Sequence, residues 1–443
     1  MRILKMETNY NRNLFFYKYD FIKVETYSES IENDVINIYP DINFQTFLGF
    51  GGAFTESSGF AYSKLPEDKK EDFIDDYFSS RGINYSFGRL PIGSSDFSLK
   101  SYSYSNQKDL KDFSIEPDKK YILPLVEAAK KVNNNITFLA SPWSPPSFMK
   151  SNKSLLLGGK LLNKYKQTYA NYLAKYILSY KEQGITIKYI TVQNEPLAVQ
   201  TWESCTFSAE EEIDFIVNYL YPTFKKYNIT TKILIWDQNK EKLLNRVNSE
   251  LISDKAKNIV AGFAYHWYTG DHFENLSLLH NKYPDKLLIH TEGCTGFSNF
   301  NSKNELHNAE LYAHDILGDL NHGTNAYIDW NLILDHNGGP NHKSNYCNSP
   351  IMLNKRNNDY IKTLTYYYIG QFSKFIKPNA VRIGFSKFTD DIEVTSFKNK
   401  DNSIAVILFN KNDFNKEYNL CIGDKVIHDN LDKHAIVSYL IEF

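Results

Sequence analysis

The chain has 443 residues, of which 42% are hydrophobic, which is enough for one large domain and a smaller one. Its 50 basic and 52 acidic side chains leave a formal charge of -2, so neither a nucleic-acid partner nor a basic membrane-surface anchor is expected. No apolar run reaches the roughly 18 residues of a membrane span, which argues against stable membrane insertion. The N-terminal stretch lacks the apolar segment of a signal peptide, which predicts a cytoplasmic location unless a leader has been removed.

Short strands separated by polar turns are predicted near the N-terminus, for example at Asn13–Tyr19 and Val35–Tyr39. From Phe47 onward strand patterns alternate with helical ones. Apolar residues at i, i+3 and i+4 predict a helix over Lys164–Glu182, and a capping-box spacing opens another at Ser208–Leu220. The eight strand candidates in this region are Phe47–Thr55, Tyr85–Ile92, Ile136–Ser141, Ile187–Asn194, Lys232–Trp236, Ile259–His266, Leu287–Thr291 and Ala326–Trp330.

Eight strand–helix units in roughly 320 residues predict an α/β fold, a (β/α)8 TIM barrel with insertions. After about Pro378 only strand patterns return, and no helix of ordinary length fits. We expect the two chain ends to pair into one β-sandwich beside the barrel. The predicted domains are therefore N-terminal sandwich strands at 1–46, a catalytic barrel at 47–377 and a C-terminal sandwich part at 378–443. The later strand candidates are Asp391–Phe397, Ser403–Phe409, Tyr418–Ile422 and Ile436–Ile441.

Polar and aromatic residues collect where the barrel strands end, which is the face at which such barrels place their chemistry. Glu195 follows the apolar strand in IKYITVQNEP, and Glu292 closes the strand in KLLIHTEG. A carboxyl at the mouth of an apolar strand lies in a low-dielectric setting that favours its protonated form. Two such glutamates predict a glycosidase that uses paired carboxyl groups. The strand ends carry Glu56, Asp96, Trp143, Asn194, Glu195, Asp237, His266, Tyr268, Glu292 and Trp330.

No metal or other cofactor is expected. The histidines and acids show neither H-x-x-x-H spacing nor a carboxylate cluster with metal-ligand spacing, and paired-carboxylate hydrolysis needs no metal. The four cysteines lack C-x-x-C spacing, so they predict free thiols rather than a zinc site or a disulfide framework. Cys294 follows Glu292 by two residues, but no histidine partner accompanies it, and a buried structural thiol is the better interpretation.

Seven stretches occur in an order typical of one enzyme family. They are GFGGAFTE at 49–56, GRLPIGSSDFSLKSYSY at 88–104, ASPWSPPSFMK at 140–150, TVQNEP at 191–196, HWY at 266–268, HTEGC at 290–294, and DWNLILDHNGGPNH with NSP at 329–350. Together they resemble the glucosylceramidase-like glycoside hydrolases of family 30. The resemblance implies retaining hydrolysis of β-glycosides, with an acid/base after barrel strand four and a nucleophile after strand seven.

The resemblance also assigns residues. It implies that Glu195 is the acid/base and that Glu292 is the nucleophile. His266 and Asp237 are expected to support the site from behind, and Tyr268 is expected in the substrate site, where it orients Glu292. The implied sugar contacts are the hydroxyl ligands Asp96 and Asn345, the aromatic walls Trp143 and Trp330, and Asn194, the amide beside the 2-hydroxyl.

Two features depart from the pattern of the family's lysosomal members. Glu56 stands where an aspartate is usual, and the segment Ala198–Cys205 differs in length and content. That segment borders the leaving-group side of the site. The difference therefore bears on the identity of the leaving group more than on that of the sugar.

The expected function is that of a retaining exo-β-glycosidase acting on β-glucosides such as glucosylceramide, a glycolipid or oligosaccharide substrate. A β-1,6-glucanase is the first alternative, and a β-xylosidase or β-fucosidase is the next. The alternative from another class is a non-catalytic carbohydrate- or lipid-binding module on a decayed barrel. The presence of both glutamates argues against this alternative, because binding alone does not require both. The sequence leaves the oligomeric state open.

Overall fold

The structure is a computed structural model that describes residues 1–28, 31–296, 305–356 and 358–443. Within the described part of the chain, four strands precede the barrel. They are β1 (Arg2–Asn9), β2 (Leu14–Tyr19), β3 (Glu25–Thr26) and β4 (Val35–Phe47).

The central part of the chain forms a closed barrel of eight parallel strands in chain order, in which the last strand pairs with the first. All eight predicted strands are confirmed, with bounds shifted by a few residues. The barrel strands are β5 (Gly49–Ala53), β6 (Phe87–Ile92), β7 (Thr137–Pro142), β8 (Ile187–Thr191), β9 (Lys232–Asn239), β10 (Val260–His266), β11 (Leu287–Glu292) and β12 (Ala326–Asn331).

Helices cover the outside of the barrel. The predicted capping box is present, because Ser208 accepts from the backbone of Glu211 while the Glu211 side chain accepts from Ser208. The helix that it opens continues through a π-helical turn at Ile216–Leu220. The helices are α1 (Glu56–Lys64), α2 (Glu67–Phe78), α3 (Ile122–Val132), α4 (Lys166–Glu182), α5 (Ala209–Phe215), α6 (Tyr221–Lys226), α7 (Leu243–Glu250), α8 (Asp254–Ile259), α9 (Phe273–Lys282), α10 (Glu305–Asn321) and α11 (Leu364–Ser373).

In the described residues after the barrel there are nine more strands. Three short ones form a small sheet near its mouth: β13 (Ile333–Leu334), β14 (Ile351–Leu353) and β15 (Tyr360–Lys362). The other six are β16 (Ala380–Lys387), β17 (Glu393–Lys398), β18 (Ile404–Asn410), β19 (Lys416–Ile422), β20 (Lys425–Leu431) and β21 (Ala435–Glu442).

Strands from both chain ends build one ten-stranded ladder, in the order β2-β1-β21-β18-β17-β16-β4-β19-β20-β3. The ladder folds over an apolar core of its own, and the hydroxyls of Tyr418 on β19 and Tyr439 on β21 meet across that core at 2.6 Å. This confirms the predicted sandwich, which packs against the barrel. β1 pairs with β21 along its full length, from Arg2 opposite Glu442 to Asn9 opposite Ala435.

β1 is absent from the sequence-based prediction because it buries charged side chains. Lys5 and Glu7 are almost fully buried, so the strand lacks the alternation of a half-buried strand. The Lys5 ammonium pairs with Asp429 on β20 at 2.6 Å, and this partner is 424 residues away in sequence. A buried charge needs such a partner, but sequence spacing does not reveal it.

The barrel interior is filled by a layer of apolar side chains. Phe87 on β6 and Tyr189 on β8 stack there, with ring centroids 6.3 Å apart. Side chains in a strand alternate between its two faces, so the residues two positions later point into the barrel one layer nearer its C-terminal end. The apolar side chains that fill the interior are Phe87, Leu139, Tyr189, Leu234, Ala264, Ile289 and Ala326, with Ile328 one layer higher on β12.

Among the described residues, no helix combines the length and the apolar character needed to cross a lipid bilayer.

Candidate active site

A polar layer lies directly above the apolar one. On five barrel strands, the residue two positions after the apolar one is polar. These five polar side chains are all buried. Buried polar groups require hydrogen-bond partners, and here they supply them to one another. The layer consists of Arg89, Ser141, Thr191, His266 and Thr291.

Arg89 connects the acidic and amide groups at this end of the barrel. Its Nη1 donates to Glu292 Oε2 at 2.6 Å, and its Nη2 donates to Asn194 Oδ1 at 2.8 Å and to Asp237 Oδ2 at 2.9 Å. Burial lowers the pKa of Arg89, but the charges of Asp237 and Glu292 outweigh burial and raise it above its usual value. The guanidinium is therefore a fixed positive charge behind Glu292.

Asp237 enters the barrel through a bulge in β9. The pairing of β9 with β10 passes from Trp236 to Gln238, and both Trp236 and Asp237 have left-handed φ angles, of 79° and 67°. Such a bulge re-aims a side chain. Burial raises the pKa of Asp237, but Arg89 and His266 more than offset this and hold it far below its usual value. Hydroxyl donors to its carboxylate are Ser141, Thr191 and Thr291.

Glu195 and Glu292 face each other at the barrel mouth. Three atoms lie within 4.8 Å of one another: one carboxylate oxygen of Glu195, one of Glu292 and a ring nitrogen of His266. Glu195 has a left-handed φ of 49°, which costs roughly 1–3 kcal/mol for such a residue, and its N–H donates to Asp237 O at 2.9 Å. Retaining glycosidases hold their carboxyl groups about 5–5.5 Å apart, and inverting ones about 6.5–9.5 Å. The upper limit of 4.8 Å between the nearest oxygens lies below the inverting range and is compatible with the retaining class.

Tyr268 and His266 flank these carboxylates. The Tyr268 hydroxyl donates to Glu292 Oε1 at 2.9 Å. His266 Nδ1 lies 3.5 Å from Glu195 Oε1 and 3.9 Å from Glu292 Oε1, and its Nε2 lies 3.1 Å from Asp237 Oδ1. Burial lowers the pKa of His266, but Glu292, Asp237 and Glu195 together raise it to about 9. The imidazole therefore carries a positive charge at neutral pH.

A cavity of about 270 Å³ opens in front of the two glutamates. The Trp143 and Trp330 rings stack 5.3 Å apart in its wall, and Asn345 Nδ2 donates to Asp96 Oδ2 at 2.9 Å. Burial, followed by the charge of Glu292, raises the pKa of Asp96 to about 7. The cavity is lined by Asp96, Phe97, Trp143, Asn194, Glu195, Gln200, Trp202, Asn239, Tyr268, Glu292, Cys294, Trp330 and Asn345.

The structure brings the predicted site residues together. Eight of them line the cavity, while His266 and Asp237 lie behind it. Glu56 does not line it; that side chain accepts from the backbone N–H of Leu99 at 3.0 Å. The predicted site residues that line the cavity are Asp96, Trp143, Asn194, Glu195, Tyr268, Glu292, Trp330 and Asn345.

Five of the described residues at the site are missing from the sequence-based prediction, and two of them are the cavity-lining Phe97 and Asn239. Gln200 and Trp202 line the cavity from the long segment after β8, and that segment carries no periodic pattern. Arg89 had a usable signal, because an arginine inside a fully buried apolar strand requires a buried carboxylate partner.

Two groups of described side chains have donor atoms close enough to hold a metal ion. One is the pair of glutamates with His266. The other combines His290 with Asp315 and Asp319 of α10, where the Lys240 ammonium pairs with both aspartates and lies 3.0 Å from Asp319. In both groups a protein cation already balances the acidic charge.

Cys294 lines the cavity as a buried free thiol. Burial, then the neighbouring Cys347, raises the pKa of the Cys294 thiol well above its usual value. Because the thiolate is the nucleophilic form, this environment disfavours a nucleophilic role for Cys294.

Comparison with protein families matches almost the whole chain. The description "Glycosyl hydrolase family 30 TIM-barrel domain" matches residues 47–376, and "Glycosyl hydrolase family 30 beta sandwich domain" matches residues 379–439. Among relatives, the chain is similar to putative glucosylceramidase 4 of Caenorhabditis elegans, with 35% identity over 412 residues that cover 87% of this chain and 79% of the relative.

Two solved structures share the fold of this chain over nearly its full length. SrfJ from Salmonella typhimurium superimposes with a TM-score of 0.97 at 32% identity, with full coverage of both chains. An endo-β-1,6-glucanase superimposes with a TM-score of 0.89 at 29% identity, covering 99% of this chain and 98% of the other.

Proposed function

The chain belongs to glycosyl hydrolase family 30 and is a glycoside hydrolase, and from that premise we propose that it is a retaining exo-β-glucosidase for glucosylceramide-type substrates. The observation that carries the mechanism is the spacing of Glu195 and Glu292, whose nearest oxygens lie within 4.8 Å of each other. No water fits between two carboxyl groups at that separation in the way that an inverting enzyme needs.

In the first step Glu292 attacks the anomeric carbon while Glu195 gives its proton to the departing oxygen. Arg89 and Tyr268 each contact one oxygen of Glu292, which fixes the direction of attack. In the second step Glu195 takes a proton from water, the water oxygen bonds to the anomeric carbon, and Glu292 leaves as a carboxylate. His266 places its positive charge beside both glutamates throughout.

The size and polarity of the cavity support cleavage of a terminal sugar. At about 270 Å³ it lies below the roughly 300–1,000 Å³ typical of pockets for drug-sized ligands, so it holds one sugar ring. Trp143 and Trp330 offer aromatic surface to such a ring, and Asp96 with Asn345 offers a hydrogen-bonding pair for its hydroxyls.

An apolar rim favours a lipid leaving group. Leu157, Leu197 and Val199 expose 60%, 43% and 63% of their surface. Leu157 lies beside the cavity, because its N–H donates to Gln200 O at 2.9 Å and Gln200 lines the cavity, while Leu197 and Val199 precede Gln200 in the same segment. Since Glu195 would protonate the leaving oxygen, the leaving group lies on the side of the segment that follows Glu195. Exposed apolar side chains there suit an alkyl chain.

A β-1,6-glucanase remains the second candidate. It is favoured by the structural similarity to an endo-β-1,6-glucanase, and by Gln200 and Trp202, which are suited to bind a second sugar.

A substrate panel distinguishes the two candidates. Glucosylceramide in detergent, β-1,6-glucan and an aryl β-glucoside would be compared by kcat/KM, with Glu292→Gln as the blank. We expect glucosylceramide to exceed β-1,6-glucan by at least about tenfold, because the rim offers apolar area worth roughly 25 cal/mol per Å² buried. A preference for β-1,6-glucan would transfer the proposal to the second candidate. Hydrolysis of none of the three would refute both.

The first product released should keep the β configuration, because two displacements at one carbon restore it. Proton NMR during the first minutes of aryl β-glucoside hydrolysis would resolve the anomeric signals before mutarotation mixes them. An α-anomer appearing first would require an inverting reaction and would contradict the observed carboxyl spacing.

A further inference from the structure

Three loops that are far apart in sequence contribute residues to the cavity. Asp96 follows β6, Trp202 follows β8, and Asn345 follows β12. Trp202 is only partly buried, and it packs against the cluster that contains the two stacked tryptophans. Loops are usually the most mobile part of a fold, so the shape of this cavity depends on what joins the three.

A buried ion pair joins them. Glu203 and His342 expose 1% and 10% of their side chains, and His342 Nε2 lies 3.3 Å from Glu203 Oε2. Ser94 Oγ donates to the other Glu203 oxygen at 2.7 Å, and His342 Nδ1 lies 3.0 Å from Ser98 O. The pair therefore touches the loops after β6, β8 and β12 at once.

Each member of this pair lies within three residues of a cavity residue in the sequence. Glu203 directly follows Trp202, and His342 precedes Asn345 by three residues. Asn341 transmits the position of His342, because its side chain accepts from the Asn345 N–H and donates to the Asn345 carbonyl.

The surroundings of the pair favour the charged form of both members. Burial raises the pKa of Glu203, but His342, Ser101 and Ser94 outweigh burial and lower it. Burial lowers the pKa of His342, but Glu203 outweighs burial and raises it. A buried ion pair contributes little net stability, because desolvation offsets the attraction, so the effect to look for here is on the geometry of the loops that the pair joins.

We propose that Glu203 and His342 are positioning residues that clamp three loops together and thereby hold Trp202 as a platform for the leaving group. The proposal rests on the proposed glycosidase function and adds a residue that selects among leaving groups. Trp202 lines the cavity from the segment that follows Glu195, the residue that would protonate the leaving oxygen of an alkyl chain or a second sugar.

Methyl and octyl β-glucoside test the clamp. Both release an alkoxide that needs the same proton, so Glu195 matters equally for each, and only the octyl chain reaches across Trp202. We expect Glu203→Gln and His342→Gln to lower the octyl-to-methyl ratio of kcat/KM by roughly fivefold to thirtyfold, mainly through KM. Trp202→Ala should lower the ratio similarly, and adding Glu203→Gln to it should change the ratio no further.

His434→Gln is the matched control. His434 Nδ1 lies 2.7 Å from Glu310 Oε1, and both side chains are mostly buried. The substitution therefore breaks another His–Glu pair, but one that is not next to a cavity residue. The octyl-to-methyl ratio of kcat/KM should stay at the wild-type value. Equal losses on both glucosides, an unchanged ratio, or additive effects of Trp202→Ala and Glu203→Gln would overturn the clamp while leaving the glycosidase assignment intact. A wild-type protein that hydrolyses neither glucoside would overturn the proposed function, and the clamp with it. If Glu203→Gln does not fold, Trp202→Ala and His342→Gln carry the same comparison.

Discussion

Replacing Glu292 by glutamine is expected to abolish turnover while the fold persists. The amide keeps the shape of the side chain but cannot form the covalent bond to the anomeric carbon. Losing the nucleophile should cost at least about 10⁴-fold in kcat on an aryl β-glucoside. The protein should still fold, because Arg89 keeps its second carboxylate partner, Asp237. Initial rates, with circular dichroism for the fold, give the measurement.

Glu56→Gln is the control for this substitution. Glu56 is another buried glutamate after a barrel strand, but it contacts the Leu99 backbone rather than the cavity. Its removal should leave the rate within a few-fold of wild type. A Glu292→Gln protein with a rate near that of wild type would sink the nucleophile assignment.

Replacing Glu195 by glutamine should produce a loss that depends on the leaving group. An alkyl alkoxide cannot leave without a proton, whereas a nitrophenolate leaves with little help. General acid assistance is worth typically about 10²–10⁴-fold, so alkyl glucosides should lose that much more in the glycosylation step than activated aryl glucosides.

The same variant also lacks the base for the second step. A glycosyl-enzyme on Glu292 should therefore accumulate with an activated substrate, and azide, which needs no base, should intercept it as a β-glycosyl azide. The measurement compares alkyl and aryl glucosides with and without azide. Equal losses on both substrates without an azide product would mean that another carboxyl is the acid.

Much of the fold could be predicted because parallel barrel strands are buried on both faces. Such strands read as mostly apolar runs, as in the FLA of β7 and the LLI of β11, and this property made all eight recognisable. β20 was missed for the opposite reason. Its sequence, KVIHDNL, mixes charged and apolar residues, because one face of the strand meets the sandwich core while other positions are exposed.

The paired glutamates could also be located, because each ends a recognisable strand. What the sequence does not contain is the geometry between strands. The bulge that turns Asp237 inward is a matter of register between β9 and β10, and no residue type marks it. The meeting of Glu203 with His342 depends on loops that lie 139 positions apart in the chain, and loop paths follow no periodic pattern.

The pairing of β1 with β21 has a consequence for how the protein folds. Their partners are separated by more than 400 residues, so the sandwich is closed by contacts of very long range. Loop-closure entropy makes such contacts late and slow, whereas seven of the eight strand pairs in the barrel join strands that are consecutive in the chain, the exception being β12 with β5. The barrel can therefore assemble while β1 still has an open edge beside its buried charges. Until β21 arrives, that edge is free to pair with another chain, which makes the half-built sandwich the aggregation-prone stage of folding.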